Sequence, residues 1–322
     1  MKKFVKKFVK ISLIFIGLFI IIGYSLKYQF DKDNSDKFIW LRNIKKTNFD
    51  YAFIGSSRTL NMVDINLIDS IYGTNGINIG MGGSDFRTLY MILYTFLDIQ
   101  ENNINDLYIQ VDPFMLYKDS IYNKPNYDYY FYSFINDKNI NSCFPKNNNA
   151  LIYKYFPIIK YIEFNKVYNL THFIRSFNSS SVWDESKGSS LIYNHLPFKP
   201  VNNQIDKHHK KHLVLNFEDK ELLSKIIGLC RNFNIQPTFY SAPIFNYQIS
   251  YKPSYPKFED EINILSDSLD IKYLNFMEYN NNNESFFKDM IHTNVKGSIE
   301  LTKAIIKALK HNNVYKEQAG DL

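Results

Sequence analysis

Short apolar runs alternate with segments of helical spacing in two blocks of this chain, and no other feature restricts its fold as much. The apolar runs are residues 50–55, 76–80, 106–111, 236–240 and 271–276. The segments with helical spacing are residues 66–72, 88–99, 218–233, 256–269 and 295–309. Strands that alternate with helices in this way imply a parallel sheet with right-handed crossovers. We therefore predict an α/β domain with five parallel strands over residues 50–322.

The alternation stops from about residue 115 to about residue 215. This segment is rich in Tyr, Phe, Asn and Lys, and its apolar residues follow no regular period. A structureless loop of that length is implausible inside a compact domain, so we predict an inserted subdomain with irregular helices. Its aromatic side chains, among them Tyr129, Tyr130 and Tyr132, could stack on sugar rings or could pack against one another. The sequence leaves both interpretations open.

The N-terminus carries an apolar stretch behind a basic flank. Residues 11–26 are almost entirely apolar and stand between Lys10 and Lys27. As a helix they would span about 24 Å, and Phe4, Val5 and nearby apolar residues can extend them toward the ~30 Å of a bilayer core. The residues after the stretch offer no small-x-small cleavage site. We predict an uncleaved single-pass anchor over residues 1–27 in the cytoplasmic membrane, a linker over 28–49, and a cleaved signal peptide as the alternative.

The net charge of +6 is concentrated in the first ten residues, which contain no acid. Taking away the five lysines there leaves +1 for the rest of the chain, so we expect no nucleic-acid partner. The positive flank predicts that the N-terminus stays inside and the remaining chain lies outside the cytoplasm. These five residues are Lys2, Lys3, Lys6, Lys7 and Lys10.

No metal or cofactor is expected. His208 and His212 have the i, i+4 spacing of a metal-binding pair, but no nearby acid or cysteine completes a site, and a solvated basic face explains them better. Cys143 and Cys230 are the only cysteines, and two cysteines do not make a disulfide framework. We expect Cys230, which falls on an apolar helix face, to be a packed thiol.

Two distant stretches carry the residues of acyl-transfer chemistry. The apolar run before Gly55 ends in Ser56, Ser57 and Arg58, which puts a hydroxyl at the carboxyl edge of the predicted sheet. Asp289 and His292 stand three residues apart, just before the last predicted helix. A serine hydroxyl needs an adjacent base, and a histidine oriented by a carboxylate supplies one. We predict that Ser57, His292 and Asp289 meet in one active site.

These stretches resemble the conserved blocks of the SGNH, or GDSL-like, hydrolase superfamily. Gly55-Ser56-Ser57 resembles the first block, with Ser56 in place of the usual Asp and Ser57 at the nucleophile position. Residues 78–83 (Asn-Ile-Gly-Met-Gly-Gly) resemble the second block, whose glycine, here Gly83, gives a backbone N–H to the oxyanion hole. Asp289-x-x-His292, followed by Asn294 and Gly297, resembles the last block. The resemblance covers about 50–114 and 216–310 and implies a three-layer α/β/α fold with a flavodoxin-like sheet.

The third block departs from the family pattern of Gly-x-Asn-Asp. Strand three ends in Gln110-Val111-Asp112-Pro113, with no Asn to donate to an oxyanion. An ionised Asp112 only accepts hydrogen bonds, so the resemblance leaves two backbone donors, Ser57 and Gly83. Arg58 either binds a polar or anionic part of a substrate, with Asp112 as a second candidate contact, or pairs with a local carboxylate.

Gly-Ser-Ser variants of this kind resemble membrane-anchored polysaccharide O-acetyltransferases and teichoic-acid D-alanyl transfer proteins. The resemblance implies serine-dependent acyl transfer or ester hydrolysis on a cell-envelope glycan, with a cell-surface polysaccharide and a membrane-bound acyl donor as partners. The alternative hypothesis, motivated by Asp112, is a catalytically degenerate module that binds a glycan or a partner in an envelope assembly complex.

Overall fold

The computed structural model describes residues 1–116, 127–144, 149–164, 170–177, 181–193, 217–247 and 257–310. The chain divides into two compact units, one of Met1–Asn43 with Asn126–Val182 and one of Ile44–Pro125 with Trp183–Leu322. We call the first the helical unit and the second the sheet unit. The boundaries predicted at 27/28, at 49/50 and around 115–215 stay predictions. His208 and His212 lie outside the described residues.

A single parallel sheet organises the sheet unit. Its strands follow the order β2-β1-β3-β4-β5, which is the flavodoxin-like order. The predicted α/β fold with five parallel strands is therefore confirmed. The strands are β1 Asn48–Ile54, β2 Gly76–Asn78, β3 Asn103–Gln110, β4 Gln236–Ser241 and β5 Lys272–Asn275.

Strands β1 and β3 begin two and three residues before their predicted starts. Their polar first residues, Asn48 and Asn103, are partners in the ladder between the two strands. Backbone pairing needs no apolar side chain, so hydrophobic pattern alone does not reveal these residues.

Helices cover both faces of the sheet. Tyr51 and Phe53 of β1 belong to one core cluster, in which Phe53 stacks on Tyr108 of β3 with ring centroids 4.6 Å apart. Full burial of such a side chain contributes about 1.5–3 kcal/mol. Three helices pack on this face, namely Ser57–Met62, Ile65–Tyr72 and Val295–Lys310. The helices on the opposite face are Phe86–Tyr94, Phe217–Asn232 and Phe258–Leu269, as right-handed crossovers between these strands require.

Local signals in the sequence set the ends of these helices. Asp64 caps the helix Ile65–Tyr72 by accepting from Leu67 N at 3.2 Å, and Gly73 ends it in the left-handed region with φ 64°. The helix predicted over 88–99 is divided into an α-helix, Phe86–Tyr94, and a π-helical turn, Thr95–Ile99. Shorter elements of the sheet unit are the α-helix Pro113–Leu116 and the 3₁₀ turn Glu284–Phe286.

The helical unit is built around aromatic packing. Phe38 stacks on Tyr130 with ring centroids 4.4 Å apart. The ring centroids of Tyr132 and Tyr153 lie 4.7 Å apart. Tyr129, Tyr130 and Tyr132 are buried, so these three residues pack rather than present faces to a ligand. The α-helices are Lys2–Phe30, Lys37–Asn43, Asp128–Phe131, Lys138–Ser142, Ala150–Tyr155, Pro157–Glu163 and Leu170–Arg175, with a 3₁₀ turn at Tyr132–Phe134 and a further helix, Val182–Glu185, at the boundary with the sheet unit.

Among the described residues, one helix, Lys2–Phe30, is long and apolar enough to cross a membrane. It contains the stretch predicted as an anchor and continues three residues beyond residue 27.

Candidate active site

The predicted nucleophile follows β1 at the carboxyl edge of the sheet. Ser57 is the first residue of the helix Ser57–Met62, and Ser56 caps that helix by accepting from Arg58 N at 3.4 Å. The turn is tight at Gly55, where an added methyl group would lie 2.0 Å from Thr59 Oγ1 and 2.4 Å from Gln110 Oε1. Only a residue without a side chain fits there, so Gly55 fixes how sharply the chain turns into Ser57.

The loop after β2 passes beside Ser57. Met81 N donates to Gly55 O at 2.9 Å, and a methyl group on Gly82 would lie 3.9 Å from Ser57 Cβ. Gly83 follows with φ 72°, a backbone conformation that favours glycine. The structure therefore brings Gly83, the predicted oxyanion donor, to the same sheet edge as Ser57.

The predicted base and acid reach Ser57 from the other end of the chain. His292 Nε2 lies 2.8 Å from Ser57 Oγ, and its Nδ1 lies 3.0 Å from both carboxylate oxygens of Asp289. The three side chains form a continuous hydrogen-bonded series from hydroxyl to imidazole to carboxylate. Its members remain accessible, since His292 is 18% exposed and Asp289 is 46% exposed.

The Asp289 carboxylate is held ionised. Its partial burial raises the pKa, but the hydrogen bond and charge of His292 and the backbone N–H groups of Ile291 and His292 outweigh this and lower the pKa overall. Asp289 Oδ1 accepts from both of those N–H groups at 2.9 Å. A carboxylate fixed in this way orients the imidazole and stabilises its protonated form.

The loop that carries His292 is tied to the helix that carries Ser57. Asn294 caps the helix Val295–Lys310, since its Oδ1 accepts from Lys296 N at 3.0 Å. Ser298 Oγ donates to Asn61 O at 3.1 Å, and Asp64 N donates to Thr302 Oγ1 at 3.1 Å. These bonds link two elements that are distant in sequence and hold His292 and Ser57 in fixed positions relative to each other.

Arg58 and Asp112 do not reach the surface. Their side chains are 2% and 0% exposed and form an ion pair with Nη1 and Oδ2 2.5 Å apart. Arg58 Nη2 also donates to the carbonyls of Ala242 and of Pro243, the latter at 2.7 Å. Of the two interpretations of Arg58, pairing with a local carboxylate describes the structure. The assignment of Arg58 and Asp112 to substrate binding finds no support, because neither has surface to offer a ligand.

The pair is enclosed by protein on every side. Burial raises the pKa of the Asp112 carboxyl overall, and the Arg58 guanidinium and the Gln110 amide offset only part of this rise. Asp112 accepts a hydrogen bond from Gln110 Nε2. The carboxylate thus stabilises Arg58, the residue next to Ser57, rather than the reaction centre itself.

Gln110 is the positioning residue that the sequence interpretation missed. Its Oε1 accepts from Ser56 N at 2.8 Å and from Thr59 Oγ1 at 2.7 Å. Thr59 Oγ1 also lies 2.6 Å from the phenolic oxygen of Tyr240, Oη. One side chain at the end of β3 therefore fixes the turn on both sides of Ser57. The available signal was a lone amide within an otherwise apolar run, Leu107–Val111.

A second group of contacts, from residues 187–192, also escaped prediction. Ser190 N donates to Leu60 O at 2.8 Å, in the helix that begins at Ser57. Val295 N donates to Ile192 O at 2.8 Å, close to His292. This segment touches both halves of the candidate site, although the sequence pattern placed it in the insertion.

Comparison with known proteins gives structural likenesses only. No family model and no curated protein matches the sequence. A Bacteroides fragilis protein proposed to be an acylhydrolase is 9% identical with a TM-score of 0.37, covering 84% of this chain and 89% of its own. A Streptococcus pneumoniae protein proposed as a platelet activating factor is 11% identical with a TM-score of 0.40, covering 95% and 99%. A Bacteroides thetaiotaomicron GDSL-like lipase is 10% identical with a TM-score of 0.39, covering 83% and 89%.

Proposed function

We propose that this protein is a serine-dependent esterase or O-acyltransferase that acts on a cell-envelope glycan. The observation that carries the proposal is the 2.8 Å separation of Ser57 Oγ and His292 Nε2. On the other side of the imidazole, Asp289 Oδ2 lies 3.0 Å from His292 Nδ1. An activated nucleophile of this kind suits acyl chemistry, because its oxygen attacks a carbonyl carbon while the base removes its proton.

The first half of the reaction uses all three residues. Ser57 Oγ forms a bond to the ester carbonyl carbon as its proton passes to His292 Nε2. Asp289 holds Nδ1–H and balances the charge of the imidazolium. The tetrahedral intermediate collapses, its bond to the leaving oxygen breaks, and His292 returns the proton to that oxygen. An acyl-Ser57 enzyme and a free alcohol result.

The oxyanion of the intermediate would accept from the backbone N–H groups of Ser57 and Gly83. Residues 110–113 supply no third donor in the manner of the SGNH family, because Asp112 is buried against Arg58. One such donor is worth about 3 kcal/mol of transition-state stabilisation. We therefore expect slow turnover on simple esters compared with an enzyme that has three donors.

The second half of the reaction decides between the two activities. Water attacking the acyl-enzyme, with His292 as base, gives an esterase. A sugar hydroxyl attacking in the same way gives an O-acyltransferase that takes its acyl group from a membrane-bound donor. The glycan comes from the resemblance to envelope acyltransferases. The apolar helix Lys2–Phe30 behind its lysines supports a cytoplasmic-membrane location with the N-terminus inside.

A second candidate function is a catalytically degenerate module that binds a glycan or a partner in an envelope assembly complex. The observation that favours it is the same Arg58–Asp112 pair, which stands where the resembling family has its donating Asn. Such a module would keep the fold and the hydrogen-bonded side chains without turnover.

Hydrolysis of a p-nitrophenyl acetate-type ester by the detergent-solubilised full chain separates the two functions. We expect turnover and labelling by a serine-reactive phosphonate, both abolished in Ser57→Ala. Ser70→Ala is the matched control, since that hydroxyl lies on an exposed helix face and bonds only to Leu67 O among the contacts described. No turnover and no labelling of the unchanged protein would support the binding module instead.

A further inference from the structure

The helical unit presents an apolar surface to its surroundings. Within residues 151–164 and 170–177, eleven residues are exposed, and eight of these are large and apolar. Soluble proteins rarely expose contiguous apolar patches of this kind without a partner for them. The eight residues, which we call the apolar face, are Leu151, Ile152, Tyr155, Phe156, Ile162, Leu170, Ile174 and Phe177.

The apolar face follows helical periodicity. Leu170, Ile174 and Phe177 stand at i, i+4 and i+7, which is one stripe along the helix Leu170–Arg175 and its C-terminal turn. Leu151 and Tyr155 stand four residues apart on the helix Ala150–Tyr155. Tyr153, on the other side of the helix Ala150–Tyr155, is buried, and so is Ser176, which directly follows the helix Leu170–Arg175. These are amphipathic helices whose apolar side points outward.

The same helices pack on the candidate membrane span. Gly23 of the helix Lys2–Phe30 is buried against Ile158, and a methyl group there would lie 3.0 Å from Ile158 N. The ring centroid of Phe30 lies 5.0 Å from that of Tyr161, in a tilted arrangement, and 6.0 Å from that of Phe173, edge to face. The apolar face is therefore continuous with the apolar surface of the span.

The contact between the helix Pro157–Glu163 and the span lies near the level at which the span would leave the hydrocarbon core. The uncharged stretch from Ile11 to Leu26 rises about 24 Å as a helix, less than the ~30 Å of a hydrocarbon core. Gly23 falls in the last turn of that stretch. The helix Pro157–Glu163 therefore meets the span from the edge of the hydrocarbon, at Gly23, outward to Phe30.

Side chains typical of a membrane interface surround this level. Tyr24, Tyr28 and Tyr155 are exposed, and Tyr24 Oη lies 3.5 Å from Tyr155 O. Lys32 Nζ stands 4.0 Å above the Tyr28 ring, and Lys154 Nζ lies 5.6 Å from the Tyr155 ring. Tyrosine and lysine with apolar stems toward lipid and polar ends toward water are typical of the headgroup region.

We propose that the apolar face lies on a lipid bilayer, so that the helical unit is a monotopic membrane-binding element around the base of the span. Amphipathic helices bind membranes in this way, with their apolar side at the boundary between headgroups and acyl chains. Lipid is the occupant because the face continues the surface of the helix Lys2–Phe30, which under the proposed function crosses the membrane. This inference concerns the helical unit and does not depend on catalysis at Ser57.

The test places tryptophan on the face in the full-length protein reconstituted in phosphatidylcholine vesicles. Ile162→Trp and Ile174→Trp replace side chains that are 62% and 61% exposed, and quenching by bromine-labelled acyl chains reports lipid contact. The matched control is Ile264→Trp, at 68% exposure on the acidic helix Phe258–Leu269 of the sheet unit. The emission of Trp40 and Trp183 is measured on the unchanged chain and is subtracted from that of each variant.

We expect stronger quenching by brominated lipid at 162 and 174 than at 264, with the opposite order for acrylamide in the water. Quenching at 162 and 174 by acrylamide alone would mean that the face is in water, and the proposal would be wrong. Protection from both quenchers would mean that a second copy or another protein covers the face, which also overturns it. Phe177→Trp exchanges one aromatic ring for another and keeps the test valid if an isoleucine variant does not fold.

Discussion

Replacing Arg58 by Met should destabilise the sheet unit strongly at neutral pH. The change leaves the Asp112 carboxylate buried without its partner and removes the donor to the Ala242 and Pro243 carbonyls. Breaking a fully buried ion pair on one side costs about 3–5 kcal/mol, because the remaining charge keeps its desolvation penalty. A loss of ~3 kcal/mol corresponds to a drop of about 6–12 °C in Tm for a unit of this size.

The destabilisation of Arg58→Met should become smaller as the pH falls. Without the guanidinium, burial outweighs the hydrogen bonds from Gln110 and the Ala242 backbone and holds the folded pKa of Asp112 above the unfolded value. A carboxyl with a raised folded pKa destabilises the fold above that pKa and is relieved when it takes up a proton. The double variant Arg58→Met/Asp112→Asn removes the charge outright, so it should be more stable than Arg58→Met and nearly independent of pH.

Thermal unfolding of the full chain in detergent, followed by circular dichroism across mildly acidic to mildly alkaline pH, measures these effects. Lys303→Met is the matched control, since it breaks an exposed pair with Glu300 and should cost less than about 1 kcal/mol. The reasoning fails if Arg58→Met costs no more than Lys303→Met, or if adding Asp112→Asn brings no recovery.

Three further predictions concern the site. Asp289→Asn should lower kcat by on the order of 10⁴-fold. The folded pKa of Asp289 is lowered, so the stability that this carboxylate contributes is present above its unfolded pKa and is lost as the pH falls through the folded pKa. The melting curves of the variant and the parent should therefore converge in acid. Gly55→Ala should cost about 1–3 kcal/mol through overpacking, seen in urea unfolding, and an unchanged midpoint would contradict the close approach of Thr59. Gln110→Leu should lower kcat more than it raises KM. Gln110→Glu should not substitute, because a carboxylate lacks the Nε2 donor to Asp112 and would place a second acid beside it. Equal effects on both constants would argue against a positioning role.

Much of the sheet unit could be predicted because its signals are local. The apolar runs mark the strands, and Gly73 and Asn294 mark a helix end and a helix start by their own backbone chemistry. The meeting of Ser57 with His292 followed from topology, since the carboxyl ends of parallel strands share one edge. The catalytic roles of these residues stay a prediction.

What could not be predicted depends on contacts across the fold. The role of Gln110 arises because the ends of β1 and β3 are neighbours, with Ile54 paired to Ile109, and no local pattern encodes that neighbour. The burial of Arg58 depends on the carbonyls of Ala242 and Pro243, which are far away in sequence. From the sequence alone, a charged residue next to a predicted nucleophile is therefore easily interpreted as a ligand contact, because its partners in the fold are not yet known.

The contact between Lys187 and Asn78 has a consequence for self-association. Strand β2 lies at the margin of the sheet, and Asn78 N donates to Lys187 O at 2.9 Å. Unsatisfied amides on a marginal strand are templates on which another polypeptide can add a strand, and short strands covered by a loop avoid that hazard. Lys187 thus occupies a backbone amide on this border of the sheet that would otherwise be open to strand pairing with another molecule.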